Sequence, residues 1–123
     1  MKRFIALLIA MFVCGSAFAK QPDALFYLMG TPKSVNSFVA HVDKIGLLVP
    51  TWYSVDNQGL VNGGPNLYIL NVAKEHRLPV MPIISMSAGR KGFHDLLYDE
   101  TAKQHMIDSM LQQAQEHGYA GFQ

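Results

Sequence analysis

The chain has 123 residues, enough for one small domain. Half of it is hydrophobic and only 15% is charged, which excludes a disordered chain. The formal charge is +1, and Lys and Arg are scattered apart from Lys2-Arg3 and Arg90-Lys91; no basic stripe exists, so nucleic acid is excluded as a partner.

The N-terminus reads as an export signal. Met1-Lys2-Arg3 is a short positive start, Phe4 to Ala17 an apolar core, and Ala17-Phe18-Ala19 a small-x-small cleavage site. Residues 1–19 are therefore expected to be removed, leaving 20–123 as a secreted or periplasmic domain. A membrane-spanning helix needs about 20 apolar residues. This run is shorter and is interrupted at Gly15-Ser16, so no stable membrane anchor is expected. The only cysteine, Cys14, follows Val13 where a lipoprotein signal needs a small residue. Cleavage leaves no disulfide, no thiol nucleophile and no thiolate metal site, so the fold must rest on its core.

After the signal, apolar runs alternate with helical periodicity. Ala24 to Met29 is a short apolar run closed by Gly30-Thr31-Pro32, a buried strand and a turn. Val35, Phe38, Val39 and Val42 then share one helix face, with Ser34 as the expected N-cap. Ile45 to Val49 is a second buried run, leading into Pro50-Thr51-Trp52-Tyr53. The turn-rich segment Ser54 to Asn66 is expected to be a loop. Leu67 to Lys74 predicts a second helix. Leu78 to Ile84 predicts a third strand, short or bulged because of Pro79 and Pro82.

Ser85 to Gly92 reads as a polar loop and Phe93 to Tyr98 as a helical turn. Thr101 and Gln104 have capping-box spacing. Met106, Ile107, Met110, Leu111 and Ala114 follow on one helical face, and Gly118 suits the position just past the helix end. Tyr119 to Gln123 opens a fourth strand. The order β-α-β-α-β-α-β, with apolar strands that do not alternate, predicts an α/β fold with a parallel sheet. Either a small open sheet or the first half of a (β/α)8 TIM barrel fits. A whole barrel takes about 250 residues.

Several chemistries lack their motifs. Gly63-Gly64 is followed by Pro65 and matches no nucleotide-binding glycine loop. The five histidines form no His-x-x-x-His pair, so no metal or other cofactor is expected. Ser85-Met86-Ser87 is not a Gly-x-Ser-x-Gly elbow. The aromatics are more informative. Phe26 and Tyr27 lie on the first strand, and Trp52 and Tyr53 lie toward the C-terminal end of the second. Ligands of parallel α/β folds bind at that end of the strands. Aromatic faces there suit the C–H face of a pyranose. Core packing accounts for Phe26; for Trp52, the chain's sole tryptophan, packing and sugar stacking both remain open.

Four stretches carry a resemblance: Phe26-Tyr-Leu28, Lys44 to Tyr53, Leu78 to Ile84, and Gly118 to Gln123. Together they resemble the N-terminal half of glycoside hydrolase family 18, in the bacterial branch that includes spore cortex and cell-wall glucosaminidases. The resemblance implies an incomplete TIM barrel, a partner polysaccharide containing N-acetylglucosamine (peptidoglycan or chitin), and sugar contacts from Tyr27, Trp52, Tyr53, Ser85 and Gln123. The family's signature is Asp-Gly-x-Asp-x-Asp-x-Glu on the fourth strand. Aligned on Gly121, its first Asp falls on Ala120 and its second on Gln123. The third Asp and the catalytic Glu fall beyond Gln123.

That family uses substrate assistance rather than the usual carboxylate pair. The Glu protonates the leaving oxygen, the substrate's acetamido carbonyl attacks, and an Asp orients it. The sequence thus predicts a catalytically incomplete fragment of a secreted hydrolase, with no catalytic residue of its own. The alternative is a non-enzymatic exported module that binds glycan or protein. Open sheet edges also predict self-association.

Overall fold

A computed structural model describes residues 24–123; the expected export signal, residues 1–19, lies outside them. The first strand, β1 (Leu25–Leu28), leads through a tight turn into helix α1 (Pro32–His41). The helix begins earlier than its apolar stripe implies. Pro32 occupies the first turn, where its missing N–H costs nothing. Thr31 is the cap, its Oγ1 accepting from the Ser34 amide at 3.3 Å, while Ser34 Oγ accepts from the Met29 amide. Ser34 is therefore not the N-cap. A 3₁₀ turn over Val42–Lys44 leads to β2 (Leu47–Val55), which pairs parallel with β1 from Leu25↔Leu47 to Leu28↔Pro50.

The expected loop from Ser54 to Asn66 is a hairpin. β2 runs on through Val55, and β3 (Val61–Gly63) returns antiparallel along it. Asp56 holds the turn, its Oδ1 accepting from the Gln58 and Leu60 amides, both at 2.9 Å. The sheet is therefore mixed rather than wholly parallel. Helix α2 (Leu67–Glu75) is capped by Asn66 Oδ1 on the Ile69 amide.

The third parallel strand is short, as Pro79 and Pro82 require. Val80 makes one isolated bridge to Leu48, and only β4 (Ile83–Met86) pairs continuously with β2. The segment read as a polar loop ends in a full helix, α3 (Gly89–Tyr98), which packs Gly92 and Leu96 inward. Helix α4 (Glu100–His117) is capped by Asp99, whose Oδ1 accepts from the Ala102 amide at 3.0 Å, not by Thr101. It stops at Gly118, where φ is +72°, a left-handed conformation that costs glycine nothing.

Residues 119–123 are not a regular strand. They run beside the third strand all the same. The Ala120 amide donates to Val80 O, that of Gln123 to Pro82 O, and that of Ile84 to Gln123 O, all within 2.9 Å.

All four helices supply side chains to one side of the sheet. Phe38 from α1, Ile69, Leu70 and Ala73 from α2, and Leu48 and Tyr53 from β2 form the main core. Val55, Leu96 and Ala102 form a smaller one under α3 and α4. The apolar strands led us to expect cover on both faces, and in β2 the consecutive Leu48, Val49 and Pro50 are all buried. β1 instead alternates, with Leu25 and Tyr27 about half exposed between less exposed neighbours. The stripe on α4 is also only partly covered: among its residues Ile107 and Leu111 are 44% and 56% exposed.

Candidate functional site

The face of the sheet away from the helices carries a row of polar side chains around Val49, which pairs with Tyr27 and is fully buried. Tyr27 projects from β1, with half of its surface open. Its hydroxyl accepts from Gln123 Nε2 at 3.0 Å, a bond between residues 96 positions apart that spans the sheet from its first strand to its last segment. Between them stand Thr51 and Ser85, both exposed. Thr51 Oγ1 donates to Leu28 O at 3.4 Å, and Ser85 Oγ donates to Tyr53 O at 3.3 Å. These two bonds fix the hydroxyl rotamers and leave oxygen lone pairs for a ligand.

A single irregularity decides which side chains reach this face. In the pairing with β4, Thr51 lies opposite Ile83 and Tyr53 opposite Ile84, so Trp52 is an extra residue in β2. Such a β-bulge reverses the alternation beyond it. Leu48 and Pro50 face the helices by ordinary alternation, and Trp52 follows them. The bulge then turns Tyr53 and Val55 the same way, into the two cores. Gly63 on β3 packs against the bulge so closely that a Cβ there would stand 2.1 Å from Trp52 O.

The five residues expected to meet sugar are thus divided. Tyr27, Ser85 and Gln123 share the open face. Trp52 and Tyr53 lie on the helix side. Tyr53 is 4% exposed and sits in an aromatic group with Tyr119 and Phe122. Its hydroxyl donates to Gln113 Oε1 at 2.9 Å and accepts from Tyr119 OH at 2.8 Å. Burial pushes both phenols above the ordinary tyrosine range, Tyr119 the more strongly. Thr51 belongs to the open face and was missed; its neighbours in the sequence drew attention to their rings instead.

No carboxylate among the described residues sits on β1, β2 or β4. Asp56, just past β2, is occupied by the hairpin amides. The face as it stands can bind hydroxyl, amide and carbonyl groups. Its strands offer no carboxyl group for proton transfer to a leaving oxygen.

No protein-family model matches the chain, and no curated protein does. Solved structures do. The chain is similar to the spore cortex-lytic enzyme SleL of Bacillus cereus, with 18% identity and a TM-score of 0.71, over 81% of this chain and 25% of that one. It is similar to a class V chitinase from Pseudomonas fluorescens, with 22% identity and a TM-score of 0.72, over 82% of this chain and 34% of that one. A chitinase from Chromobacterium violaceum matches with 16% identity and a TM-score of 0.70, over 81% of this chain and 33% of that one. The chain spans a quarter to a third of the length of these proteins, and its α/β fold is that of a portion of each.

Proposed function

We propose that this chain forms the opening part of a (β/α)8 barrel of the glycoside hydrolase family 18 kind, and that its open sheet face holds an N-acetylglucosamine-containing polymer. The observation that carries the reading is the Tyr27–Gln123 hydrogen bond across a partly exposed, carboxylate-free face. The fold shared with a cortex-lytic enzyme and two chitinases supports the polymer class. In this reading Tyr27 OH and the Gln123 amide meet sugar hydroxyl and acetamido groups, and Thr51 and Ser85 accept from hydroxyls beside them.

The reading includes the inability of these 123 residues to hydrolyse the polymer unaided. They contain no Asp-x-Glu, and substrate-assisted cleavage needs that acid. A second reading, an exported module that binds glycan without turnover, is favoured by the same lack of strand carboxylates. Both readings predict retention of the protein on insoluble chitin or peptidoglycan. Replacing Tyr27 and Gln123 together with alanine is expected to weaken retention about tenfold, the equivalent of about 1.4 kcal/mol. A fluorogenic N-acetylglucosaminide assay should stay at background. Retention unchanged by the double substitution would remove the open face from the reading; turnover would show that an acid acts from outside the strands.

Either role requires the protein to leave the cytoplasm. The Ala17-Phe18-Ala19 site places the new N-terminus at Lys20. N-terminal sequencing of protein recovered outside the cytoplasm should begin there, and exported protein that retains Met1 would refute the cleavage.

A further inference from the structure

The helix side of the sheet holds a second concavity that the open face does not explain. Trp52 forms one wall of a cleft of about 270 Å³. Leu28, Val35 and Ile69 make its floor, the turn at Met29-Gly30 one lip, and Gly64-Pro65-Asn66 the other. Three separate segments converge there, just past the end of β1 and beside the later half of β2. Trp52 is only half buried, unlike Tyr53 beside it.

Local backbone geometry builds this cleft. The bulge sets Trp52 and Tyr53 on the same side of the sheet. Gly63, with φ at +111° and no room for a Cβ, lets β3 close on the Trp52 carbonyl. The chain then passes through Gly64-Pro65 to Asn66, opposite the indole. Asn66 uses Oδ1 on the Ile69 amide, which leaves its Nδ2 to donate to a ligand oxygen. An aromatic wall, an aliphatic floor and one amide donor at the rim match an amphipathic ring: apolar on one face, with carbonyl or hydroxyl oxygens at its edge. The volume lies below that of pockets for drug-sized ligands, which limits the occupant to about one ring.

We propose that the Trp52 cleft is a second saccharide site that takes a single N-acetylhexosamine unit, on the opposite side of the sheet from Tyr27 and Gln123. The choice of sugar rests on the glycan reading above; the existence of a small-ligand cleft does not.

Trp52 is the chain's only tryptophan, so its emission reports the cleft directly. Gly64 lines the cleft, has nothing within 4 Å of an added Cβ and no left-handed backbone, so Gly64→Leu adds bulk at the lip with little disturbance of the fold. The experiment titrates the purified protein and this variant with N-acetylglucosamine and its tetramer, followed by Trp52 emission and by calorimetry. The expected result is a saturable emission change, weakened at least tenfold by Gly64→Leu and unaltered by the Tyr27/Gln123 double substitution. Circular dichroism confirms that Gly64→Leu is folded. Gly30→Leu, which also meets nothing within 4 Å, blocks the other lip independently. Calorimetric binding that leaves Trp52 emission unchanged, or an emission change that neither lip variant weakens, overturns the second site and leaves the open face standing. No binding by either readout overturns the sugar assignment on both faces.

Discussion

Gly63→Ala is expected to lower the stability of the protein by about 3 kcal/mol or more. Two costs combine at this position. A side chain at φ +111° sits in strained backbone space, at about 1–3 kcal/mol. The new Cβ would also stand 2.1 Å from Trp52 O and 3.2 Å from Tyr53 Cα, and backbone atoms cannot swing aside as a flexible side chain can. Overpacking of this kind costs about another 1–3 kcal/mol. Domains of this size hold a total of roughly 5–15 kcal/mol. Relief requires β3 to withdraw from β2, which loosens the bulge and exposes Trp52. Urea titration should therefore show a much lower midpoint, with Trp52 emission of the remaining folded protein shifted to the red. Gly64→Ala, one residue on, meets nothing and serves as the control, with a change within about 0.5 kcal/mol. Equal midpoints for Gly63→Ala and the parent protein would show that β3 does not depend on its close approach to Trp52.

The contrast between these adjacent glycines shows where the sequence stops being legible. Gly63-Gly64 reads as turn chemistry, and both residues do lie where the chain turns from β3 toward α2. Which of them is indispensable depends on the distance to Trp52, and no local pattern carries that. β1, α1, α2 and the Gly118 stop were readable because each follows from neighbours in sequence: an apolar run, a 3.6-residue stripe, a glycine after the last turn. The hairpin strand Val61-Asn62-Gly63 was not, because three half-polar residues become a strand only by pairing with β2. Helix α3 was hidden by its glycines and by the small number of its buried residues. The candidate site shows the same limit. The resemblance groups Tyr27, Trp52, Tyr53, Ser85 and Gln123 as sugar contacts, and Tyr27, Ser85 and Gln123 do share a face. The bulge sends Trp52 and Tyr53 to the other side. A bulge is a relation between β2 and β4, so it leaves no mark in β2 alone.

The buried phenol pair is another such long-range feature, and it makes stability depend on alkaline pH. Tyr119 OH, Tyr53 OH and Gln113 form a chain of hydrogen bonds inside the main core. Burial raises both phenols above their usual value near 10. The sign follows from proton counting. Below about pH 10 the folded and unfolded chains both keep the phenol protons, and the full stability is present. Above it the unfolded chain releases them while the folded chain retains them, so rising pH favours unfolding. Each retained proton contributes a slope of about 1.4 kcal/mol per pH unit, and the pair about 2.7. Urea midpoints measured between about pH 9 and 11 should fall steeply past pH 10. The part of the tyrosinate absorbance that Tyr119→Phe removes should rise together with unfolding rather than ahead of it. Tyr119→Phe removes one of the two titrating groups and leaves Tyr53 still donating to Gln113. It should cost about 1 kcal/mol near neutral pH yet flatten the alkaline slope by about half. Tyr98→Phe, at a position 77% exposed, is the surface control. A slope unchanged in Tyr119→Phe would mean that alkaline unfolding is driven elsewhere, and that the Tyr53–Tyr119 pair opens to water before the protein unfolds.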